Sequence, residues 1–96
     1  MITVIAEHWV KPGQNAKAEK IFTEVSASAK KAPGFVSRYV IVSQQDPSKM
    51  TTVTNWKTQN DFDQWKKVRK FSFGPEFIHE AFSKEVGEFY NVVKTV

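Results

Sequence analysis

The strands of this sequence are apolar on both faces, and this constrains the fold more than any other feature. In the stretch Ile2–Val10, Ile2, Val4, Ala6 and Val10 point one way, while Ile5 and Trp9 point the other. In Phe35–Gln44, Phe35, Tyr39 and Ile41 oppose Val36, Val40 and Val42. Side chains alternate across a strand, so a sheet with one solvated face should place polar residues at every second position. A sheet buried on both sides needs a covering layer on each. Helices of the same chain can form one layer, but a chain of 96 residues has little left for the other. The economical second layer is another copy, so the pattern predicts a homodimer with two sheets packed face to face. Eight Phe, three Trp and two Tyr reinforce this, being more apolar surface than one short chain covers well.

Lys11-Pro12-Gly13, Ala32-Pro33-Gly34, Gln45-Asp46-Pro47-Ser48 and Gly74-Pro75 punctuate the chain. Residues 2–10 read as a strand ending at Pro-Gly. Asn15 is a candidate N-cap for a helix in which Ala18, Ile21, Phe22, Val25, Ala29 and Ala32 recur at helical spacing until Pro33-Gly34. Phe35–Gln44 and Met50–Lys57 form a hairpin around Asp46-Pro47-Ser48-Lys49. Thr58-Gln59-Asn60-Asp61 resembles a capping box and opens a second helix with Phe62, Trp65 and Val68 as its buried stripe. After an irregular Lys70–Gly74, Pro75 starts a short helix. Residues 88–96 form the last strand. The order β-α-β-β-α-(α)-β is that of a ferredoxin-like α+β fold with an antiparallel sheet, and residues 1–96 read as a single domain.

The composition excludes several function classes. Without cysteine there is neither a disulfide scaffold nor thiolate chemistry. No apolar run is long enough for a membrane span. Met1-Ile2-Thr3-Val4-Ile5 lacks the basic and small-residue features of a signal peptide, which points to a cytoplasmic location. The net charge of +4 mildly favours anionic partners. RNA-recognition modules share the element order, and Gly34-Phe35-Val36-Ser37-Arg38-Tyr39 echoes their aromatic motif. That motif belongs on the third strand rather than the second, so no nucleic-acid partner is expected.

Few residues offer chemistry. His8 shares a strand face with Ile2, Val4, Ala6 and Val10, where a neutral imidazole beside small Ala6 would line a cavity or sit as a satisfied core residue. Trp65 has the spacing of a core stripe or of a pocket wall. His79, in the last short helix, either projects into a pocket or lies at its edge. Asn55, Tyr90 and Asn91 could anchor an oxygenated aromatic substrate by hydrogen bonds, with turn capping as the competing role for Asn55. Arg38 could meet a carboxylate of a partner chain. Lys66-Lys67-Val68-Arg69-Lys70 reads as an anion site or as a solvated helix end. No metal-ligand spacing, phosphate loop or nucleophile elbow occurs.

Taken together, the opening strand ending Val10-Lys11-Pro12-Gly13, the helix running to Ala32-Pro33-Gly34-Phe35, and Thr54-Asn55-Trp56-Lys57 followed by Thr58-Gln59-Asn60-Asp61-Phe62-Asp63-Gln64-Trp65 resemble the antibiotic biosynthesis monooxygenase superfamily. The resemblance implies a dimeric α+β barrel. It also implies a small monooxygenase acting on an aromatic or polycyclic substrate, or on haem, in a cavity between sheet and helices, without a flavin or nicotinamide site. The haem-degrading branch uses a first-strand Asn, a second-helix Trp and a later His as axial ligand. His8 stands at the first position, Trp65 at the second, and His79 is the only downstream histidine, a few residues beyond the usual spacing. On this reading His8, Trp65 and Asn55 are the catalytic candidates and His79 the cofactor-binding one, with haem as substrate or cofactor and no resident metal. The alternative is a non-enzymatic dimeric ligand-binding or stress-response module whose cavity the phenylalanines fill.

Overall fold

The computed structural model describes residues 1–96. Its elements are β1 (Ile2–Val10), α1 (Asn15–Lys30), β2 (Phe35–Val42), β3 (Lys49–Trp56), α2 (Gln59–Val68), α3 (Pro75–Ala81) and β4 (Phe82–Asn91). The strands form one antiparallel sheet in the order β2-β3-β1-β4, with the helices packed on one face. This is the ferredoxin-like α+β fold that the element order implies.

The element limits differ from the expected ones at several points, β2 ending at Val42 and β3 running from Lys49 to Trp56. The N-cap of α1 is Gln14 rather than Asn15, and no side chain caps that end. β4 begins at Phe82, not at residue 88, and ends at Asn91. Phe82 serves two elements: its N–H closes α3 on the Ile78 carbonyl, while its backbone at φ −121° and ψ 135° is already extended. The polar Ser83-Lys84-Glu85 run disguises this as loop, but an edge strand tolerates it. In β2, Val36 is an extra residue, because Phe35 pairs with Trp56 and Ser37 with Asn55. Phe35 therefore packs on Trp56 together with the helices, and does not share a face with Tyr39 and Ile41.

The helix-facing side of the sheet is a set of rows running across the strands. Asn91, Ile2, Trp56 and Phe35 form one; Phe89, Val4, Thr54 and Arg38 the next; Gly87, Ala6, Thr52 and Val40 the third; Glu85, His8, Met50 and Val42 the fourth. Large side chains dominate the ends. Ile2, Ala29, Trp56 and Trp65 make one buried cluster, and Val10, Ala18, Ile21, Phe22, Ala81 and Phe82 make another. Between them the first three positions of the third row, Gly87, Ala6 and Thr52, carry nothing larger than a threonine. A cavity of about 350 Å³ occupies that gap, and the eight phenylalanines do not close it. On the opposite face Tyr39 is 60% exposed, Ile41 50%, Val86 41% and Tyr90 43%.

The turn between α1 and β2 locks the layers together. Gly34 has φ +84° and accepts a hydrogen bond from the Lys57 N–H at 2.8 Å. A Cβ at this position would overlap the Asp61 side chain in the first turn of α2. That turn is fixed in its own right, because the Thr58 hydroxyl accepts from the Asp61 N–H at 3.1 Å. The left-handed backbone alone costs a non-glycine residue about 1–2 kcal/mol. Gly34→Ala should therefore lower unfolding free energy by at least that amount, read as a reduced urea midpoint. A midpoint equal to that of the unmodified protein would show that the turn is not a constraint.

Candidate active site

His8 stands beside the cavity floor, with its imidazole between Phe22 and Phe82. The ring centroids lie 5.2 Å from Phe22 and 4.8 Å from Phe82. Nδ1 is 3.3 Å from the Met50 carbonyl oxygen, which can only accept, so this hydrogen bond forms with the proton on Nδ1. Nε2 then carries the lone pair, 3.5 Å from Glu85 Oε1. Burial pulls the His8 pKa below its ordinary value, with the positive charge of Arg38 adding to this and Glu85 opposing it. At neutral pH the group is a free base beside a carboxylate that can stabilise its charged form.

Across the floor the wall is cationic. Arg38 donates from Nε to the Ser26 hydroxyl and from Nη1 to the Thr54 hydroxyl, both at 2.8 Å. Arg69 caps α2, its guanidinium 4.6 Å above the Trp65 ring and 5.5 Å from Phe71. Trp65 is 6% exposed and satisfies its indole N–H on the Ser28 hydroxyl at 2.9 Å. The cavity edge is completed by Phe71 and Phe73, stacked at 5.2 Å in the segment between α2 and α3. Glu24 pins that segment by accepting from both the backbone N–H and the hydroxyl of Ser72. Those bonds hold the Glu24 carboxyl below its ordinary pKa.

The expected site residues do not all converge. His8 and Trp65 both line the cavity. Asn55 does not: Thr52, Thr54 and Trp56 face the helices, so strand alternation turns Asn55 to the other side. There it accepts from the Thr3 hydroxyl and donates to the Ser37 hydroxyl at 2.9 Å, tying three strands together rather than capping a turn. His79 is exposed on α3, and Ile78 is the residue of that turn which reaches the cavity. Tyr90 also lies on the outer face and donates to Glu88 at 3.0 Å. Val68 is 72% exposed and not part of the buried stripe, because α2 ends there and Arg69 covers Trp65 instead. Arg38 faces the cavity, on the same side as Val40 and Val42. Glu85 and Gly87 were not expected at the site. Only correct placement of β4 opposite His8 and Ala6 reveals them.

The fold has many counterparts among solved structures. A cofactor-independent oxygenase, SnoaB from Streptomyces nogalater, superposes with a TM-score of 0.77 at 16% identity, over 99% of this chain and 95% of that one. A conserved protein from Methanosarcina mazei Go1 gives 0.78 at 21% identity, over 93% and 89%. A variant of MhuD with two manganese protoporphyrin IX molecules bound per active site gives 0.76 at 18% identity, over 100% and 98%. No curated protein sequence matches the chain. The sequence profile of the antibiotic biosynthesis monooxygenase family matches residues 1–72, which is three quarters of the length, and the chain belongs to that family.

Proposed function

We propose that this protein is a homodimeric, cofactor-independent monooxygenase that oxidises a hydroxyaryl substrate to a quinone in the cavity above Gly87, Ala6 and Thr52. The observation that carries the reading is the His8 imidazole, mostly buried and neutral, with Nδ1 on the Met50 carbonyl and Nε2 toward Glu85. A phenolic O–H placed at Nε2 loses its proton to His8, and Glu85 stabilises the imidazolium. The resulting aryloxide is electron-rich and reacts directly with O₂. One oxygen atom replaces a ring hydrogen as a new carbonyl, and the phenolic C–O becomes the second carbonyl. The other oxygen atom leaves as water with the hydrogens of the C–H and O–H groups. The phenol loses four electrons and O₂ gains four, so no further reductant is consumed. Trp65, Phe22, Phe62 and Phe71 supply aromatic walls for a planar substrate. The likeness to SnoaB, a cofactor-independent oxygenase, supports this chemistry.

Haem is the rival substrate, on the likeness to the porphyrin-bound MhuD variant. His79 lies outside the cavity. His8 is the one imidazole within it, and Phe22, Phe82 and Glu85 already enclose it. A cavity of about 350 Å³ with these contents fits a small hydroxyaryl better than a porphyrin.

The exposed apolar face opposite the helices supports the dimer. Tyr39, Val53 and Ile5 form an apolar row there, and Ile41, Val86 and Trp9 stand beside it around the Glu7–Lys49 ion pair, apolar surface of the kind that marks an interface. Face-to-face packing of two such sheets would complete an α+β barrel and leave both cavities on the helix side.

His8→Ala should lower kcat/KM for O₂ uptake with 2-naphthol by about 10²–10⁴-fold. In the unmodified protein the rate should be flat above neutrality and fall in acid, below the ordinary imidazole value of 6.5, because the base form is required and burial lowers its pKa. Unchanged turnover in His8→Ala removes His8 as the base. A haemin titration by absorbance should give no saturable Soret shift, and a shift at one haem per chain would favour the rival.

Gly87→Ile should keep the fold, since a Cβ at Gly87 meets nothing within 4 Å, while its side chain fills the cavity and abolishes oxidation. Full activity in that variant would place the chemistry elsewhere. Sedimentation equilibrium should give twice the 11.0 kDa chain mass for the unmodified protein and the monomer mass for Ile41→Lys. A dimer that survives the lysine would mean that another surface pairs.

A further inference from the structure

Two arginines face the cavity without a counter-ion. Neither Arg38 nor Arg69 has a carboxylate oxygen within 4.0 Å, since the ion pairs present are His8–Glu85, Lys17–Glu80 and Lys49–Glu7. A guanidinium carries five N–H donors. Arg38 uses two of them, on Ser26 and Thr54, and these bonds hold the side chain in place without neutralising it. Arg69 lies over the rings of Trp65 and Phe71, its guanidinium 4.6 Å and 5.5 Å from their centroids, a cation–π contact that uses none of its N–H donors. Both side chains line the same cavity as His8. Burial together with the charge of Arg69 pulls the Arg38 pKa down to about 10, a cost that a bound anion would remove.

The geometry points to a carboxylate-binding site formed by Arg38 and Arg69, which makes a hydroxyaryl carboxylate the preferred ligand of this cavity. Arg38 stands in the row on one side of Gly87-Ala6-Thr52 and His8 in the row on the other. A planar ligand lying over that floor puts its carboxylate at the guanidinium groups and its hydroxyl at His8 Nε2. Arginine suits this role because its planar fork matches a carboxylate in a two-bond contact. Glu85 on the far wall, opposite His8, repels a second negative charge, so the ligand carries one anionic head and not several. The identification of this ligand as a substrate rests on the reading of the cavity given above.

The test is calorimetric titration without oxygen, using 6-hydroxy-2-naphthoate and 2-naphthol as paired probes. The unmodified protein should bind the naphthoate about tenfold or more tighter than the naphthol, the size expected for charge-assisted hydrogen bonds. Arg38→Met should remove the preference, bringing the ratio of naphthoate to naphthol affinity to about one. Arg69→Gln, in the segment after α2, should remove part of the preference, and it decides the matter should Arg38→Met fail to bind 2-naphthol at all. Equal affinities for the two probes in the unmodified protein overturn the proposal, as does a preference that survives in both variants. Oxygen uptake is measured separately. A naphthoate preference without uptake keeps the carboxylate site and sinks the oxygenase reading, whereas uptake without a preference does the reverse.

Discussion

The absence of bulk along a single row of the sheet organises the rest of this structure. Gly87, Ala6 and Thr52 stand side by side on β4, β1 and β3, and no helix side chain reaches down to fill the space above them. Interiors pack at near-crystalline density, and a gap of this size forfeits dispersion contacts along its whole lining. The flanking clusters offset that loss. Trp56 is fully buried against Trp65 at 5.3 Å, and Phe22 and Phe82 close the other end at 5.6 Å. The concentration of aromatic residues thus has a mechanical purpose. Two stiff clusters hold the helices off the sheet between them.

The polar groups of the site depend on that arrangement. An imidazole or a guanidinium buried in a filled core would need a full set of partners, and a charge there would be strongly disfavoured. Here every buried side-chain nitrogen and oxygen has a hydrogen-bond partner, yet neither Arg38 nor Arg69 has an ion-pair partner. Hydroxyl groups of Ser26 and Thr54 orient Arg38 while leaving its charge uncompensated. The Met50 carbonyl orients His8 in the same way through Nδ1, and Nε2 points toward Glu85. The two ends of the cavity are therefore electrostatically distinct, with cations on the β2 side and Glu85 on the β4 side. A ligand with unlike ends has one favourable orientation there.

Much of this was legible in the sequence because it rests on periodicity. Alternation in β1 placed His8 beside Ala6, and the two-faced apolar pattern matches the exposed Tyr39, Ile41 and Val86. The Thr58 cap and the Pro75 start of α3 follow from local chemistry that needs no tertiary context. What periodicity leaves out is of another kind. Residue type singles out Asn55, whereas parity with its neighbours Thr54 and Trp56 assigns it to the outer face. His79 is the only downstream histidine, and its exposure is set by how α3 packs on α1, a long-range matter. The β2 bulge at Val36 and the early start of β4 are pairing effects, visible only when a partner strand fixes the register. Glu85 and Gly87 could not be found before β4 was correctly placed.

Helix α1 links the stability of the fold to the geometry of the site. Its apolar stripe of Ala18, Ile21, Phe22, Val25 and Ala29 spans both core clusters, so its position along the sheet is strongly determined. Polar residues flank that stripe. On one side Ser26 reaches Arg38 of β2. On the other, Ser28 holds the Trp65 indole and Glu24 holds Ser72, and with it the segment bearing Phe71 and Phe73. At 100° per residue these flanks follow from the helical period itself, with Ser26 one step past Val25 and Glu24 one step before it. A rotation of α1 about its axis would misplace the cation, the aromatic wall and the cavity edge together. The apolar contacts that resist the rotation are the same ones that keep the cavity open. Site precision is therefore inherited from core packing, which is why so small a chain can hold a polar constellation without a disulfide to brace it.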